Sequence, residues 1–153
     1  MTEPRARERI AVLLVEDEPA DQERTRRAID QIETIIQLHV VDDGEQALDY
    51  LRRTADTSTA SRSAPDIVLL DINMPRLDGK QTLQSIRADA NLRHLPVIML
   101  TSSERDEDVC DCYEAGANAY VTKPLDMSGY ISALRDIESF WLQRAVLPTH
   151  CAE

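Results

Sequence analysis

What most restricts the fold of this chain is a strict alternation of two kinds of segment. Short apolar runs take turns with longer stretches whose apolar residues recur every three or four positions, the spacing of a helix face. Ile10–Val15 is the first apolar run, and Glu16-Asp17-Glu18-Pro19 ends it. Residues 20–32 follow, with a thin stripe at Thr25, Ala28, Ile29 and Ile32. Ile36–Val41 alternates as a short strand does, and Asp42-Asp43-Gly44 reads as a turn. Residues 45–53 then place Ala47, Leu48 and Leu51 on one helical face. Residues 66–70 form a buried strand bounded by Pro65 and Pro75, and residues 80–88 a helix. Strand 96–100 precedes helix 104–115, for which Gly116 is a left-handed C-cap. Strand 118–122 precedes the last helix, 127–144, striped by Met127, Ile131, Leu134, Ile137 and Trp141.

Strands alternating with helices mean a parallel sheet with helices on both faces, because each crossover lays a helix on the sheet. Five of each predict an α/β, doubly wound sheet of order 2-1-3-4-5, whose switch point falls beside the first strand. No G-x-G-x-x-G follows that strand, so a dinucleotide-binding reading has no support. No internal repeat or low-complexity tract interrupts the pattern.

The length suits one domain. The formal charge is −11, from 28 acidic against 17 basic residues, and a field of that sign repels phosphate backbones. Nucleic acid is therefore not an expected partner. No segment approaches a membrane span, and the polar start lacks a leader's apolar core, so a cytoplasmic protein without membrane contact is expected. Cys110 and Cys112 form a C-x-C without companion ligands, which is poor material for zinc or a disulfide framework. Residues 1–8 read as a flexible N-terminus, 9–145 as the folded unit, 54–65 as a Ser/Thr/Ala-rich flexible loop, and 146–153 as a tail.

In this architecture all strand C-termini meet at one edge of the sheet, and each delivers something there. The first delivers Glu16 and Asp17, the third Asp71, the fourth Thr101 then Ser102, the fifth Lys123 then Pro124. The second delivers Asp42 and Asp43, farther from the switch point. Singly these are ordinary residues: Asp71 before Asn73 and Pro75 is turn chemistry, and the acidic pair could cap the next helix. Together they are a chemical set. Crowded carboxylates need a cation, and all-oxygen ligation with room for water suits Mg²⁺. A lysine and a hydroxyl can hold phosphoryl oxygens while a carboxylate accepts the phosphoryl group.

Four stretches carry a resemblance. They are Leu13-Leu14-Val15-Glu16-Asp17-Glu18; Asp66-Ile67-Val68-Leu69-Leu70-Asp71-Ile72-Asn73-Met74-Pro75 with Asp78-Gly79; Pro96-Val97-Ile98-Met99-Leu100-Thr101; and Gly116-Ala117-Asn118-Ala119-Tyr120-Val121-Thr122-Lys123-Pro124. In order and spacing the chain resembles a receiver domain of a two-component response regulator, of the stand-alone kind typified by the chemotaxis regulator, over residues 8 to 140. The resemblance implies a flavodoxin-like fold. It implies Asp71 as phosphoacceptor, and Asp17 and Asp71 as Mg²⁺ ligands, with Glu16 helping through water and the backbone carbonyl of Asn73 completing the protein ligands. Lys123 would pair with Asp71 or a phosphoryl oxygen, and Lys123–Pro124 would be a cis peptide. Thr101 and Tyr120 match the hydroxyl–aromatic switch pair.

The implied donor is a sensor histidine kinase, and the implied role is signalling rather than turnover of an external substrate. Ser102 and Ser103 depart from the common pattern, and with Asn73 they bear on the hydrolysis rate. The long 54–65 loop and the extended last helix resemble the small response regulators that serve phytochrome-type kinases. The tail is too short for a DNA-binding module, so output is expected through protein contact or onward phosphotransfer. Phe140 and Trp141 stand out in a chain with 4% aromatics. They either pack the last helix on the core or form a homodimer surface. Two other readings are a phosphorylation-independent interaction module of the same fold, and an aspartyl phosphohydrolase. Against the second, Asn73 stands where such an enzyme places its acid–base.

Overall fold

β3 (Ile67–Leu70) explains the architecture best, because every one of its side chains is buried. A strand covered on both faces needs helices above and below it. In the computed structural model, which describes residues 10–55 and 64–148, that cover is present. β1 (Ile10–Val15), α1 (Pro19–Asp30), β2 (Ile36–Val41) and α2 (Gly44–Ala55) precede β3. After it come α3 (Gly79–Ala88), β4 (Val97–Thr101), α4 (Asp106–Glu114), β5 (Ala119–Thr122) and α5 (Met127–Ile137). The sheet has five strands in the order β2-β1-β3-β4-β5, with parallel pairing throughout, as the alternation predicts.

Successive strand residues face opposite sides, so the sheet divides its apolar residues between two cores. Leu13, Val15, Val68, Leu70 and Met99 join Leu51, Leu83 and Cys112 on one face, beneath α2, α3 and α4. Val12, Leu14, Ile67, Leu69, Ile98 and Leu100 join Ala28, Tyr130 and Leu134 on the other, beneath α1 and α5. The division into two cores thus follows from the period of two along the strands and of 3.6 along the helices.

Two details differ from the sequence reading. The last helix is not uniform: after Ile137 it winds as a π-helical segment, Glu138–Arg144. Buried Glu138 accepts a hydrogen bond from Thr34 Oγ1 at 2.6 Å, and Leu142 and Leu147 enter the second core, so the wider turn re-phases the chain onto the sheet. The second difference is at Lys123–Pro124. No cis peptide occurs among the described residues, so this bond is trans and the cis expectation is corrected. Trans is the lower-energy isomer, and Arg24 donates to the carbonyls of both Pro124 and Leu125 in this arrangement.

Helix ends shift by one or two residues for local reasons. A capping box between Asp78 and Gln81 starts α3 at Gly79. Gly116 ends α4's turn with φ of 105°, the left-handed cap expected of it. Thr54 and Ala55 belong to α2, its Thr54 Oγ1 bonding back to Tyr50 O at 2.9 Å. The flexible segments expected at 1–8, within 56–63 and beyond 148 lie outside the described residues. Among the described residues no helix is long and apolar enough to cross a membrane.

Candidate functional site

The strand ends meet as the topology requires, and backbone bonds fix their relative heights. Glu16 N donates to Val41 O at 3.0 Å, and Asp71 N to Val15 O at 3.1 Å. Lys123 N donates to Thr101 O at 2.8 Å. Glu16, Asp71 and Lys123 therefore each start from a backbone atom held in the sheet ladder, one residue past the last strand position. The ligand oxygens of Glu16, Asp17 and Asp71 all lie within 4.8 Å of one another. Glu16 and Asp71 are buried, while Asp17 is the least buried of the three.

Lys123, itself buried, enters this group from β5. Its Nζ donates to Glu16 Oε1, to Asp71 Oδ2 at 3.1 Å and to Asp21 Oδ2 at 2.9 Å. Asp71 Oδ1 accepts from the N–H of Ile72 at 2.8 Å, so both its oxygens are held. Glu16 also accepts from Glu18 N at 3.1 Å. Burial pushes the Glu16 carboxyl up to about 7, against the pull of Lys123, and the charge of Asp71 adds to the rise. Burial pulls the Lys123 ammonium down, but the charge of Asp71 and the hydrogen bonds to Glu16 and Asp21 outweigh it and the net direction is up. One lysine does not neutralise three carboxylates. An oxygen-only group with excess negative charge fits a hard divalent cation such as Mg²⁺.

Thr101 closes β4, fully buried, and its Oγ1 accepts weakly from Ser103 N at 3.4 Å. Tyr120, opposite Met99 in the β4–β5 register, packs on the first core. Its hydroxyl donates to Ser103 O at 2.9 Å, and burial pushes its phenol up. Ser103 Oγ reaches Asp108 Oδ2 at 2.5 Å, and Lys80 Nζ meets Asp108 and Asp111 at 2.7 Å each. Asn73 is exposed in the β3–α3 loop, two residues beyond Asp71.

Other candidates fall outside the cluster. Asp42 accepts from Gln22 at 2.8 Å. Buried Asp43 bonds Gln46 N at the start of α2 and pairs with Arg76 at 2.6 Å. Arg76 holds a left-handed φ of 64°, so this pair fastens a strained part of the β3–α3 loop. Phe140 is exposed, whereas Trp141 packs partly against the second core, the two rings in a T at 5.4 Å. Cys112 is a core residue whose thiol burial pushes up to about 11.

Sequence reasoning missed Asp21. Its only signal was position: the first turn after Pro19, four residues beyond Asp17, on a helix that starts at the chemical edge.

Comparison with known families decides what kind of module this is. The model described as "Response regulator receiver domain" matches residues 12–135. The chain belongs to the response regulator receiver domain family. Receiver domains of this family act in two-component signalling rather than as conventional enzymes. The receiver is 33% identical over 137 residues to response regulator Rcp1 of Synechocystis, covering 90% of this chain and 92% of Rcp1. A crystal structure of manganese-bound Rcp1 matches with a TM-score of 0.80 at 32% identity, over 91% of this chain and 99% of that one. The phosphorylated cyanobacterial phytochrome response regulator RcpA matches with a TM-score of 0.82 at 35% identity, over 92% and 99%. A response regulator in red light signaling of R. palustris matches at 0.81 and 40% identity, over 92% and 99%. The receiver's relatives thus include phytochrome response regulators.

Proposed function

We propose that this receiver accepts a phosphoryl group on Asp71 from the phosphohistidine of a sensor histidine kinase, and that the kinase is of the phytochrome type. The observation that carries the reading is the contact of Lys123 Nζ with Asp71 Oδ2 at 3.1 Å inside a cluster of three carboxylates. The kinase class rests on the phytochrome and red-light response regulators among the relatives.

An Asp71 carboxylate oxygen attacks phosphorus, the O–P bond forms, and the N–P bond breaks with its electron pair returning to the imidazole. Lys123 follows the charge onto the phosphoryl oxygens, because the acyl phosphate leaves Asp71 itself neutral. The hydroxyl of Thr101 turns to another phosphoryl oxygen, and Tyr120 is the aromatic that reads this movement through Ser103. Glu16, Asp17, Asp71 and the Asn73 carbonyl would hold Mg²⁺, which supplies positive charge for the transferring group. Water later attacks phosphorus, the O–P bond breaks, and inorganic phosphate leaves. In this reading the receiver works in the cytoplasm and passes its state to a protein partner. Phe140 and Trp141 contribute to pairing with a second copy.

Incubation of the full chain with labelled acetyl phosphate and Mg²⁺ tests it. Acid-labile label is expected on the wild type and absent from Asp71→Asn. Full labelling of Asp71→Asn would overturn the assignment.

A further inference from the structure

Lys123 has three N–H donors, and all three are committed to carboxylates: Glu16, Asp71 and Asp21. Two of these belong to the acid cluster. Asp21 does not. It comes from α1, and its side chain remains 18% exposed while those of Glu16 and Lys123 are 2% and 3% exposed. A cation in the cluster offsets the charges of Glu16 and Asp71, but Asp21 keeps its charge and its hold on Lys123.

The hold is built rather than incidental. Arg24 Nη1 fixes the other Asp21 oxygen at 3.1 Å. Arg24 in turn donates to the carbonyls of Pro124 and Leu125, the two residues after Lys123, and lies 4.3 Å over the ring of Tyr130. Tyr130 OH meets Thr25 Oγ1 at 2.7 Å in the second core. The α1 helix and the β5–α5 corner are thereby joined around one carboxylate. An acid in the first turn of a helix also favours its dipole, but that effect alone requires neither the Lys123 bond nor the Arg24 bridge.

We infer that Asp21 is a positioning residue that competes with the phosphoryl group for Lys123 and so sets how firmly the phosphorylated state is held. The inference rests on the phosphoacceptor reading above. A phosphoryl group brings about two negative charges. It needs a donor from Lys123, and it is repelled by a carboxylate bonded to the same ammonium. Asp21→Asn keeps the size of the side chain and removes its charge. It also frees Arg24 from a counter-charge, so the site becomes more positive. The phosphoryl state should tighten, which is the opposite of what damage to the fold would do.

The test uses beryllofluoride, a phosphoryl mimic, at saturating Mg²⁺ with the full chain, read from the fluorine resonance of the bound form. Half-saturation is expected roughly five- to ten-fold lower for Asp21→Asn, the size of one partly screened repulsion removed. Asp21→Ser should shift the same way, and Asp21→Glu should stay near the wild type. Unchanged or weaker binding in both Asp21→Asn and Asp21→Ser overturns the inference while leaving the phosphoacceptor reading intact. No bound signal from the wild type overturns that reading and the inference with it.

Discussion

Gly79 lies against the main-chain carbonyl of Asp71 so closely that a Cβ would stand 2.0 Å from the oxygen. Its N–H also donates to Ile72 O at 2.8 Å. The first turn of α3, started by the Asp78 capping box, therefore seats directly on the backbone that presents the Asp71 side chain. Helix start and candidate phosphoacceptor are one packing unit.

Replacing Gly79 with Ala should be severe for that reason. Neither backbone can retreat without breaking the cap or the β1–β3 ladder, so a loss of about 3 kcal/mol is expected. Urea unfolding measures it. Labelling by acetyl phosphate should fall in step, and a variant with wild-type stability and labelling would contradict the packing argument.

Lys123→Ala removes the positive charge among Glu16, Asp21 and Asp71. Deleting one partner of a buried charge group costs about 3–5 kcal/mol, because the remaining carboxylates are left uncompensated. Mg²⁺ should restore part of this. Thermal melts with and without Mg²⁺ should show a larger metal-induced rise in Tm for Lys123→Ala than for the wild type, and an equal rise would argue against a cation site there.

Asp108 should contribute an acid limb to stability. The Lys80 hydrogen bond, then that of Ser103, holds its carboxyl below the usual carboxylate range against the opposing effect of burial. A depressed folded pKa means stability that is present above the unfolded value, about 4, and lost as pH falls through the folded one. The wild type should exceed Asp108→Asn in urea midpoint near neutral pH, and the gap should close below about pH 4. A gap that persists at low pH would assign the effect to shape rather than charge.

Trp141→Ala tests the pairing of two copies. Sedimentation should show weaker self-association, with the rate of Asp71 phosphorylation within a few-fold of wild type. An unchanged monomer–dimer balance would leave Trp141 as a core residue of the second cluster alone.

Much of this was legible in the chain. The alternation of five apolar runs with helical stripes pointed to the strand order, and that order brings Glu16, Asp17, Asp71, Thr101 and Lys123 to one edge. What was not legible depends on pairs distant in sequence. Thr34 meets Glu138, 104 residues away, where the π-helical segment begins, and Asp21 meets Lys123, 102 residues away. No periodicity encodes either meeting.

Ser103 belongs to two bonded chains at once. Its carbonyl holds Tyr120 on β5, and its hydroxyl holds Asp108, hence Lys80, between α4 and α3. If Asp71 gains a phosphoryl group as proposed, a shift of this loop toward the new charge reaches two surfaces through a single residue, a junction with one input and two outputs. By linkage, any change that a partner gripping α4 makes in the affinity of whatever reads the Tyr120 side is matched by the same factor in return. Paired binding measurements on the two surfaces would show equal coupling in both directions.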